Sequence, residues 1–397
     1  MKGYLRQDGQ KGIRNTVVVA YLIECARHVA NEIALDFRGR DVHVIGFPGC
    51  FPNGYAFDMM SKLCTHPNVG AVLLVSLGCE GFNREGLAEI VAASGRPVET
   101  LVIQQNGGTA KTIGKGSKWV RTELDALSMQ KPVDMAIEEL VIGTICGGSD
   151  GTSGMTANPA MGRAFDLLIA EGAAGIFEET GELIGCEHYM ADRAATPELG
   201  AEIVNCVDKA RSYYETMGYG SFSPGNADGG LSTIEEKSMG AYAKSGASQI
   251  VGLIKPGDKP PTGGLYLLDV IPDGEVRHGF PNINDNAEIA ELMACGAHLN
   301  LFSTGRGSVV GSAISPVIKV CGNPETFRNL SDDMDVDAGR ILEGRADLDE
   351  VGREVRDLVL AVANGQKSKS EMLGHREFIL GYKSFEPIGP ACLPNVA

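Results

Sequence analysis

Three cysteines of this sequence share a local setting that suits metal chemistry. Cys50, Cys79 and Cys146 each follow an apolar run and a glycine that lies within four residues. If these runs are parallel strands, the thiols emerge at one edge of a sheet, where α/β proteins bind ligands. Soft thiolates select iron or zinc, and three of them leave an open position for a substrate on mononuclear iron or on an iron–sulfur cluster. A buried cysteine can also be only a small core residue, and that alternative stays open for each thiol.

The longest motif of the chain surrounds Cys146. An apolar run precedes this cysteine, and a glycine-rich loop then leads through Asn158-Pro159 into a helical pattern. Such a loop frees backbone N–H groups to face an anion at the end of a strand. The sequence therefore predicts the floor of an active site for an anionic ligand. The substrate-binding residues expected here are Gly147, Gly148, Ser149, Asp150, Gly151 and Asn158.

An acid–histidine pair and a lysine are the candidate catalytic residues. Glu187 and His188 are adjacent, so on a regular element they point apart, and one could ligate a metal while the other moves a proton. They end the acidic segment Phe177–His188, for which the alternative is an acidic, solvated helix start, and for Glu178 and Glu182 taken singly that alternative is favoured. Lys237 is a candidate base or anion clamp, although an isolated lysine is more often surface charge. Ser232 and Glu235 have the spacing of a capping box, which predicts a helix start just before Lys237.

A second glycine-rich loop, Thr304–Ser308, contains Arg306. The guanidinium fork matches a carboxylate or a sulfonate in a bidentate way, so Arg306 is predicted to bind one anionic end of a substrate. A solvated turn is the alternative. The sequence contains neither a GxGxxG motif with a downstream acid nor a GxxxxGK[ST] motif. The sequence therefore contains no motif that indicates a binding site for a nicotinamide cofactor or a nucleoside triphosphate.

Length and charge limit the class of protein. The 397 residues predict two domains with a sizeable core, and the formal net charge of −16 argues against nucleic acid or an anionic membrane as the main partner. The N-terminus lacks the basic and apolar regions of a signal peptide, and no uncharged apolar run reaches about 18 residues, so a cytoplasmic protein is expected. The ten cysteines are then expected to be thiols or metal ligands rather than disulfides.

The candidate residues stand at the ends of apolar runs that alternate with helical patterns. This alternation predicts an α/β fold with two doubly wound, mostly parallel-sheet domains. A polar segment at Met129–Val133 places the domains at 1–132 and 133–397. The chain beyond Pro324 is predicted to be a mainly helical C-terminal tail, in which Leu348–Ala363 is the clearest amphipathic helix. The first predicted strands are Thr16–Ile23, Val42–Cys50, Val69–Leu77 and Val98–Gln104.

Six motifs run along nearly the whole chain. They are Gly3–Gly9 with Gly12–Asn15, Gly78–Glu80, Cys146–Gly162, Ser223–Lys237, Phe302–Gly307 and Asp333–Gly339. In this order they resemble the altronate and galactarate dehydratase family, and the long Cys146–Gly162 signature is the most specific of them. Members of the family are iron-dependent lyases, so the resemblance implies β-elimination from a 2-hydroxy acid to a 2-oxo acid. It also implies that 1–132 is the family's second domain and 133–397 its Rossmann-like C-terminal domain.

The start of the chain refines this expectation. Sugar-acid dehydratases of the family carry a small domain ahead of the Gly3–Gly9 motif, and this chain begins at that motif. The resemblance therefore implies the sulfolactate sulfo-lyase branch, in which the small domain is a separate partner subunit and (2R)-3-sulfolactate gives pyruvate and sulfite. A sugar-acid dehydratase and a non-catalytic small-acid binding subunit are the alternatives. No nucleic-acid or membrane partner is expected, and formation of a homo-oligomer stays open.

The resemblance also implies roles for the candidate residues. Iron would chelate the carboxylate and the 2-hydroxyl of the substrate while a base removes the C2 proton. His188 is expected as that base, with Lys237 as its rival, and Arg306 together with the N–H groups of Gly147–Gly151 would hold the anionic ends. The form of the iron stays open between Fe²⁺ and a cluster on the three cysteines named first.

Overall fold

The computed structural model describes residues 1–218, 224–274, 284–381 and 383. Ser223, the first residue of the Ser223–Lys237 motif, lies outside these ranges. The chain forms two compact units. Of the described residues, the C-terminal unit contains Met1, 135–218, 224–271 and 291–375, and the N-terminal unit contains 2–134, 272–274, 284–290, 376–381 and 383. Within the described ranges, no helix has the length and the apolar character needed to cross a membrane.

Strands and helices alternate along the N-terminal unit. Its strands are β1 (Lys2–Leu5), β2 (Lys11–Gly12), β3 (Thr16–Tyr21), β4 (Val42–Gly46), β5 (Val69–Ser76), β6 (Val98–Val102) and β7 (Val133–Asp134). Its helices are α1 (Glu24–Leu35), α2 (Gly54–Cys64), α3 (Arg84–Ala93), α4 (Ile103–Asn106) and α5 (Thr109–Ser128). Four strands form a parallel sheet in the order β4-β3-β5-β6, and β1 pairs antiparallel with β2 and β7. β5 is buried along its whole length, as expected for an apolar central strand.

One buried arginine of the first motif holds the start of the chain in the N-terminal unit. Arg6 donates from Nε to Pro67 O at 2.8 Å and from Nη2 to Arg14 O at 2.9 Å. Its Nη1 donates to Asn15 Oδ1 at 2.7 Å. Burial, followed by the neighbouring Arg96, lowers the pKa of Arg6 to about 9, which still leaves the guanidinium charged at neutral pH. The motif around Arg6 thus satisfies buried carbonyl groups that would otherwise lack a donor.

We predict that Arg6→Lys lowers the free energy of unfolding by about 2–4 kcal/mol. A lysine ammonium cannot reach all three acceptors, because it lacks the planar fork of a guanidinium. Urea denaturation followed by the fluorescence of Trp119, the single tryptophan of the chain, measures the effect in this unit. Lys2→Ala is the control, since Lys2 pairs with Asp134 on the exposed surface. Equal effects of the two variants would contradict the prediction.

The C-terminal unit is built on a parallel sheet of seven strands. They are β8 (Val141–Cys146), β9 (Ala174–Phe177), β10 (Ile250–Ile254), β11 (Gly264–Leu268), β12 (Leu299–Thr304), β13 (Val317–Cys321) and β14 (Val336–Asp337). The strand order is β10-β11-β9-β8-β12-β13-β14, and every neighbouring pair is parallel. The predicted α/β fold with parallel sheets is confirmed.

The remaining helices include the amphipathic segment expected near the C-terminus. They are α6 (Ala157–Ala170), α7 (Glu187–Ala191), α8 (Pro197–Met217), α9 (Pro224–Asp228), α10 (Ile234–Ala243), α11 (Asp285–Ala294), α12 (Pro324–Asn329), α13 (Leu348–Ala363) and α14 (Lys369–Leu373). Asp347 caps α13 and forms a capping box with Glu350. The mainly helical tail is confirmed as far as the structure describes it.

The two glycine-rich loops meet at one edge of the seven-stranded sheet. They follow the neighbouring strands β8 and β12. The strands β9, β10 and β11 lie on one side of this pair, and β13 and β14 lie on the other. Gly147 N donates to Ser303 O at 3.0 Å, and Arg306 N donates to Gly148 O at 2.8 Å. This is the switch point of the topology, where open α/β sheets bind their ligands.

Glycines allow α6 and α10 to approach each other closely. A Cβ atom on Gly162 would lie 2.2 Å from Ala243 O and 2.7 Å from Gly246 N. A Cβ atom on Gly154, in the loop before α6, would lie 2.9 Å from Gly240 Cα. No side chain fits at these distances, so the glycines let α10 lie against the loop that follows β8.

Candidate active site around Cys146

Cys146, the last residue of β8, is the centre of a buried polar cluster. Its N–H donates to the carboxylate of Glu179, with Oε2 at 3.1 Å and Oε1 at 3.2 Å. Its Sγ lies 3.1 Å from Glu179 Oε1 and 3.3 Å from Glu182 Oε2. Because only 3% of Cys146 is exposed, these contacts are shielded from water. The electrostatic interactions of the Cys146 sulfur with its charged neighbours are therefore strong.

A backbone bend after β9 brings both glutamates to Cys146. Glu179 has a φ of 76°, in the left-handed region that non-glycine residues rarely adopt. A 3₁₀ turn, Thr180–Leu183, follows at once, and Glu182 N donates to Glu179 O at 2.7 Å. A left-handed non-glycine residue costs on the order of 1–3 kcal/mol, and such strain clusters at functional sites. The bend is thus a sign of function that is independent of the thiol.

Two lysines, one on α10 and one directly after its last residue, complete the cluster. Lys237 and Lys244 are seven residues apart, which is two helical turns, so they share one face. Lys237 Nζ lies 3.1 Å from Cys146 Sγ and 2.5 Å from Glu182 Oε2. Lys244 Nζ lies 3.5 Å from the same sulfur and forms an ion pair with Glu179. We call Cys146, Glu179, Glu182, Lys237 and Lys244 the Cys146 cluster.

The start of α10 aims Lys237 into this cluster. The helix begins at Ile234, so its cap is Thr233, whose Oγ1 accepts from Glu236 N at 3.3 Å. Glu236 Oε2 accepts from Ser232 N at 2.8 Å. The prediction of Ser232 and Glu235 as the capping pair was therefore wrong by one residue, since the structure uses Thr233 and Glu236. Ser232 and Thr233 are adjacent, and both residue types are good caps.

The charge of Lys237 is fixed by its anionic neighbours. Burial is the largest influence and lowers the pKa of Lys237, but the charges of Cys146 and then Glu182 outweigh it and raise that pKa above the ordinary 10.5. An ammonium that keeps its proton binds anions and cannot remove a proton from a substrate. The contacts of Lys237 with Cys146 and Glu182 suit an anion clamp, and its two predicted roles, base and clamp, stay predictions.

A cavity of about 430 Å³ opens beside Lys237. This volume is suitable for a small organic ligand. Its polar side chains come from Ser149, Asp150, Ser153, Asn158, Glu236 and Lys237, and its apolar side chains come from Met155, Leu231 and Met239. Lys237 Nζ also contacts Ser149 Oγ at 3.0 Å, so the ammonium lies between the cavity and the sulfur of Cys146. A small acid in the cavity would meet the ammonium.

The glycine-rich loop after Cys146 uses its N–H groups within the protein. Gly147 N donates to Ser303 O, and Gly151 N donates to Gly229 O. Ser149 N donates to Asn226 Oδ1 at 3.1 Å, and Asp150 N donates to Ser153 Oγ at 3.1 Å. These bonds fix the conformation of the loop. The predicted role of the Gly147–Gly151 N–H groups as anion ligands, including that of Gly148, stays a prediction.

Three other predicted residues lie outside the Cys146 cluster. His188 is exposed on α7. Glu187, the first residue of that helix, accepts from Gly185 N at 2.7 Å and from Arg211 Nη2 at 2.9 Å. Arg306 is exposed, and its Nη1 donates to Gly225 O. The catalytic roles of His188 and Glu187 and the substrate-binding role of Arg306 stay predictions.

The Cys146 cluster contains a group of candidate metal ligands. One oxygen of Glu179, one of Glu182 and the Cys146 sulfur all lie within 4.8 Å of one another. A thiolate with carboxylates suits iron, and the three potential anions exceed the two lysine charges, so the donor set fits a cation. Cys50 and Cys79 are exposed residues of the N-terminal unit, and among the described residues they belong to no such group of three. The three-cysteine centre stays a prediction.

The sequence did not single out every member of the Cys146 cluster. Lys244 was missed, and Glu179 and Glu182 lie in the acidic segment Phe177–His188 without having been singled out, since a solvated helix start was the favoured interpretation of Glu182. A usable signal existed for Lys244, since its spacing of seven residues from Lys237 equals two turns of a helix. The bend at Glu179 had no such signal, because a left-handed glutamate is set by its tertiary contacts.

We predict that Lys244→Met lowers the free energy of unfolding by about 3–5 kcal/mol. Lys244 is fully buried, and its loss leaves the carboxylate of Glu179 buried without its ion pair. The double variant with Glu179→Gln removes that charge and should recover part of the loss. Urea denaturation of the three variants and the parent gives the coupling energy. A cost of Lys244→Met that does not change in the Glu179→Gln background would refute the ion pair.

Family models match almost the whole chain in two parts. The model described as D-galactarate/altronate dehydratase, C-terminal, matches residues 137–385. The model described as D-galactarate dehydratase/altronate hydrolase, second domain, matches residues 3–128. The Cys146 cluster lies within the first of these matches.

Curated proteins are similar over nearly the same length. The (2R)-sulfolactate sulfo-lyase subunit beta of Chromohalobacter salexigens is 33% identical, over 95% of this chain and 96% of that protein. The altronate dehydratase of Escherichia coli is 30% identical, over 95% of this chain and 76% of that protein. The altronate dehydratase of Bacillus subtilis is 30% identical, over 96% of this chain and 77% of that protein.

Proposed function

Because this chain belongs to the D-galactarate/altronate dehydratase family, we propose that it is a lyase that removes a group from C3 of a 2-hydroxy acid and yields a 2-oxo acid. The observation that carries the proposal is the position of Lys237. Its ammonium lies between the thiol of Cys146 and a cavity of the size of a small organic acid. Such a fixed cation stabilises the negative charge that develops when a proton leaves C2 of an acid.

We propose (2R)-3-sulfolactate as the substrate, with pyruvate and sulfite as products. The similarity to the sulfo-lyase subunit, which extends over nearly all of both proteins, supports this choice. The name of that relative, a subunit beta, also supports a small partner subunit. Dehydration of altronate or galactarate is the second candidate function, and the similarity to the altronate dehydratases favours it.

The proposed reaction assigns one task to each group. Lys237 holds the carboxylate and the enolate-like charge, and Arg306 holds the sulfonate. A base takes the C2 proton, the carbon–sulfur bond breaks, and sulfite leaves with the bonding electrons. The resulting enol gains a proton at C3, loses its hydroxyl proton and becomes pyruvate. Sulfite is a stable anion, so its departure needs less acid assistance than the departure of hydroxide from a sugar acid.

Iron is the proposed cofactor, and Cys146, Glu179 and Glu182 would hold it. When bound, iron would supply a Lewis acid that polarises the carboxylate and the 2-hydroxyl of the substrate. Lys237 and Lys244 already contact these same groups, so they would keep the carboxylates oriented and balance their charge. The chain's own contribution is then orientation, charge balance and exclusion of water.

The test is an assay of the iron-loaded chain together with its small partner under anaerobic conditions. Sulfolactate should give sulfite and pyruvate in equal amounts. Altronate and galactarate, assayed in parallel, should give little 2-oxo acid. Turnover of a sugar acid without release of sulfite would reverse the choice of substrate, whereas no turnover of any of the three acids would reject the lyase.

His188 is the proposed general base. It lies on α7, two residues after Cys186. The Sγ of Cys186 is 3.6 Å from the sulfur of Met239, a residue that lines the cavity. We predict that His188→Gln lowers kcat by about 10²- to 10⁴-fold and slows exchange of the C2 proton with deuterated water equally. His28→Gln is the control, because His28 is an exposed histidine of α1, in the N-terminal unit. Unchanged exchange in His188→Gln would move the base to another residue.

A further inference from the structure

The carboxamide of Asn158 is held in one orientation. Asn158 is the second residue of α6 and is only 2% exposed. Its Nδ2 donates to Gly240 O, in α10, at 2.8 Å. The opposite orientation would bring two oxygen atoms together, so the bond decides which end of the amide is the acceptor. Oδ1 therefore points away from Gly240.

This oxygen has no hydrogen-bond partner among the described residues. Nevertheless, it belongs to a residue that lines the cavity beside Lys237. A buried acceptor without a donor is costly, and native proteins rarely leave one unless a water or a ligand completes it. Asn158 thus carries a buried, unused acceptor on a side chain of a residue that lines the proposed active site.

The other polar side chains of the cavity wall have partners inside the protein. Ser149 Oγ contacts Lys237 Nζ, and Ser153 Oγ accepts from Asp150 N. Asp150 Oδ1 accepts from Thr152 N and Oγ1, and Asp150 Oδ2 accepts from Asn323 Nδ2. Glu236 Oε2 accepts from Ser232 N and Oγ, and Lys237 Nζ contacts Cys146, Glu182 and Ser149. Among the described side chains of the wall, Asn158 Oδ1 is then the buried acceptor without a partner.

We propose that Asn158 Oδ1 accepts a hydrogen bond from the 2-hydroxyl of the substrate, so that Asn158 is a specificity-determining residue. The inference rests on the proposed function. Carboxylate and sulfonate oxygens are acceptors at neutral pH and cannot satisfy Oδ1, whereas a hydroxyl can. Lys237 then selects an acid, and Asn158 selects a hydroxy acid over its deoxy counterpart. Both candidate substrate classes carry this hydroxyl, so the proposal holds for either.

Binding of two acids that cannot react tests the proposal separately from catalysis. Lactate has the 2-hydroxyl, propanoate lacks it, and neither has a leaving group on C3. Titration of the iron-loaded chain, followed by protein NMR, should show lactate binding about tenfold more tightly than propanoate. In Asn158→Leu the two acids should bind equally, with the affinity for propanoate unchanged. Met372→Leu, which alters an exposed side chain of α14 away from the cavity, should keep the parent ratio.

Three results would overturn the proposal. Equal binding of the two acids by the parent chain would mean that a water alone satisfies Oδ1. An equal loss of affinity for both acids in Asn158→Leu would mean that Asn158 only holds α6 against α10. Binding of neither acid would mean that the cavity does not recognise such acids. Failure of the sulfolactate assay with the expected lactate preference intact would instead reject the proposed reaction and retain the role of Asn158.

Discussion

Lys237→Met should lower kcat/KM by about 10²- to 10³-fold, the effect of removing one preorganised donor from developing negative charge. The side chain is 3% exposed, so water cannot replace the lost ammonium. Methionine keeps most of the volume and therefore preserves the shape of the cavity. Most of the loss should appear in kcat, because the ammonium stabilises the enolate-like transition state more than the bound acid. Initial rates with sulfolactate, over a range of concentrations, separate kcat from KM.

The matched control is Lys255→Met. Lys255 follows β10 at the same edge of the sheet, and it pairs with Asp269, which Lys209 also contacts at 2.6 Å. The variant removes one positive charge from that edge while Asp269 keeps a partner. It should change kcat/KM by less than about twofold, as expected for a partly exposed ion pair. A similar loss in both variants would mean that the overall charge of the edge matters, rather than the contact of Lys237 with the cavity.

The fold could be predicted from the sequence because it depends on local patterns. Apolar runs such as Val69–Leu77 are long, bounded by glycine and separated by helical segments, which is the pattern of a parallel sheet. The seven-strand order could not be predicted, because the relative position of β8 and β12 depends on contacts between distant segments. Only the structure brings the two glycine-rich loops together.

The site was predictable in part for the same reason. Cys146 and Lys237 occur in motifs with a recognisable composition, and the structure places them 3.1 Å apart. The sequence could not pair them, because 91 residues separate them along the chain. Nor could it identify Glu179, whose carboxylate reaches Cys146 only because its backbone adopts a left-handed conformation. Residues set by tertiary contacts leave no local pattern to find.

The cysteines provide the second large effect. Cys146→Ala should remove bound iron and reduce turnover to background, because its thiolate is the soft ligand of the proposed centre. Glu179→Gln should also lose iron, whereas Cys50→Ala and Cys79→Ala should keep it. These exposed cysteines stand outside the ligand group formed by Cys146 and its two glutamates. Anaerobic iron and acid-labile sulfide content, measured beside turnover in each variant, tests the assignment.

Sulfide content separates the two forms of the metal centre. A mononuclear site on Cys146 and the glutamates requires iron without sulfide, whereas a cluster contains both elements in comparable amounts. If Cys50→Ala and Cys79→Ala each lost iron together with sulfide, the three-cysteine centre would be correct and the glutamates would serve only to balance the lysines. Because alanine at an exposed position costs little stability, such a loss could not be attributed to unfolding. The same variants therefore decide both the ligands and the nuclearity of the centre.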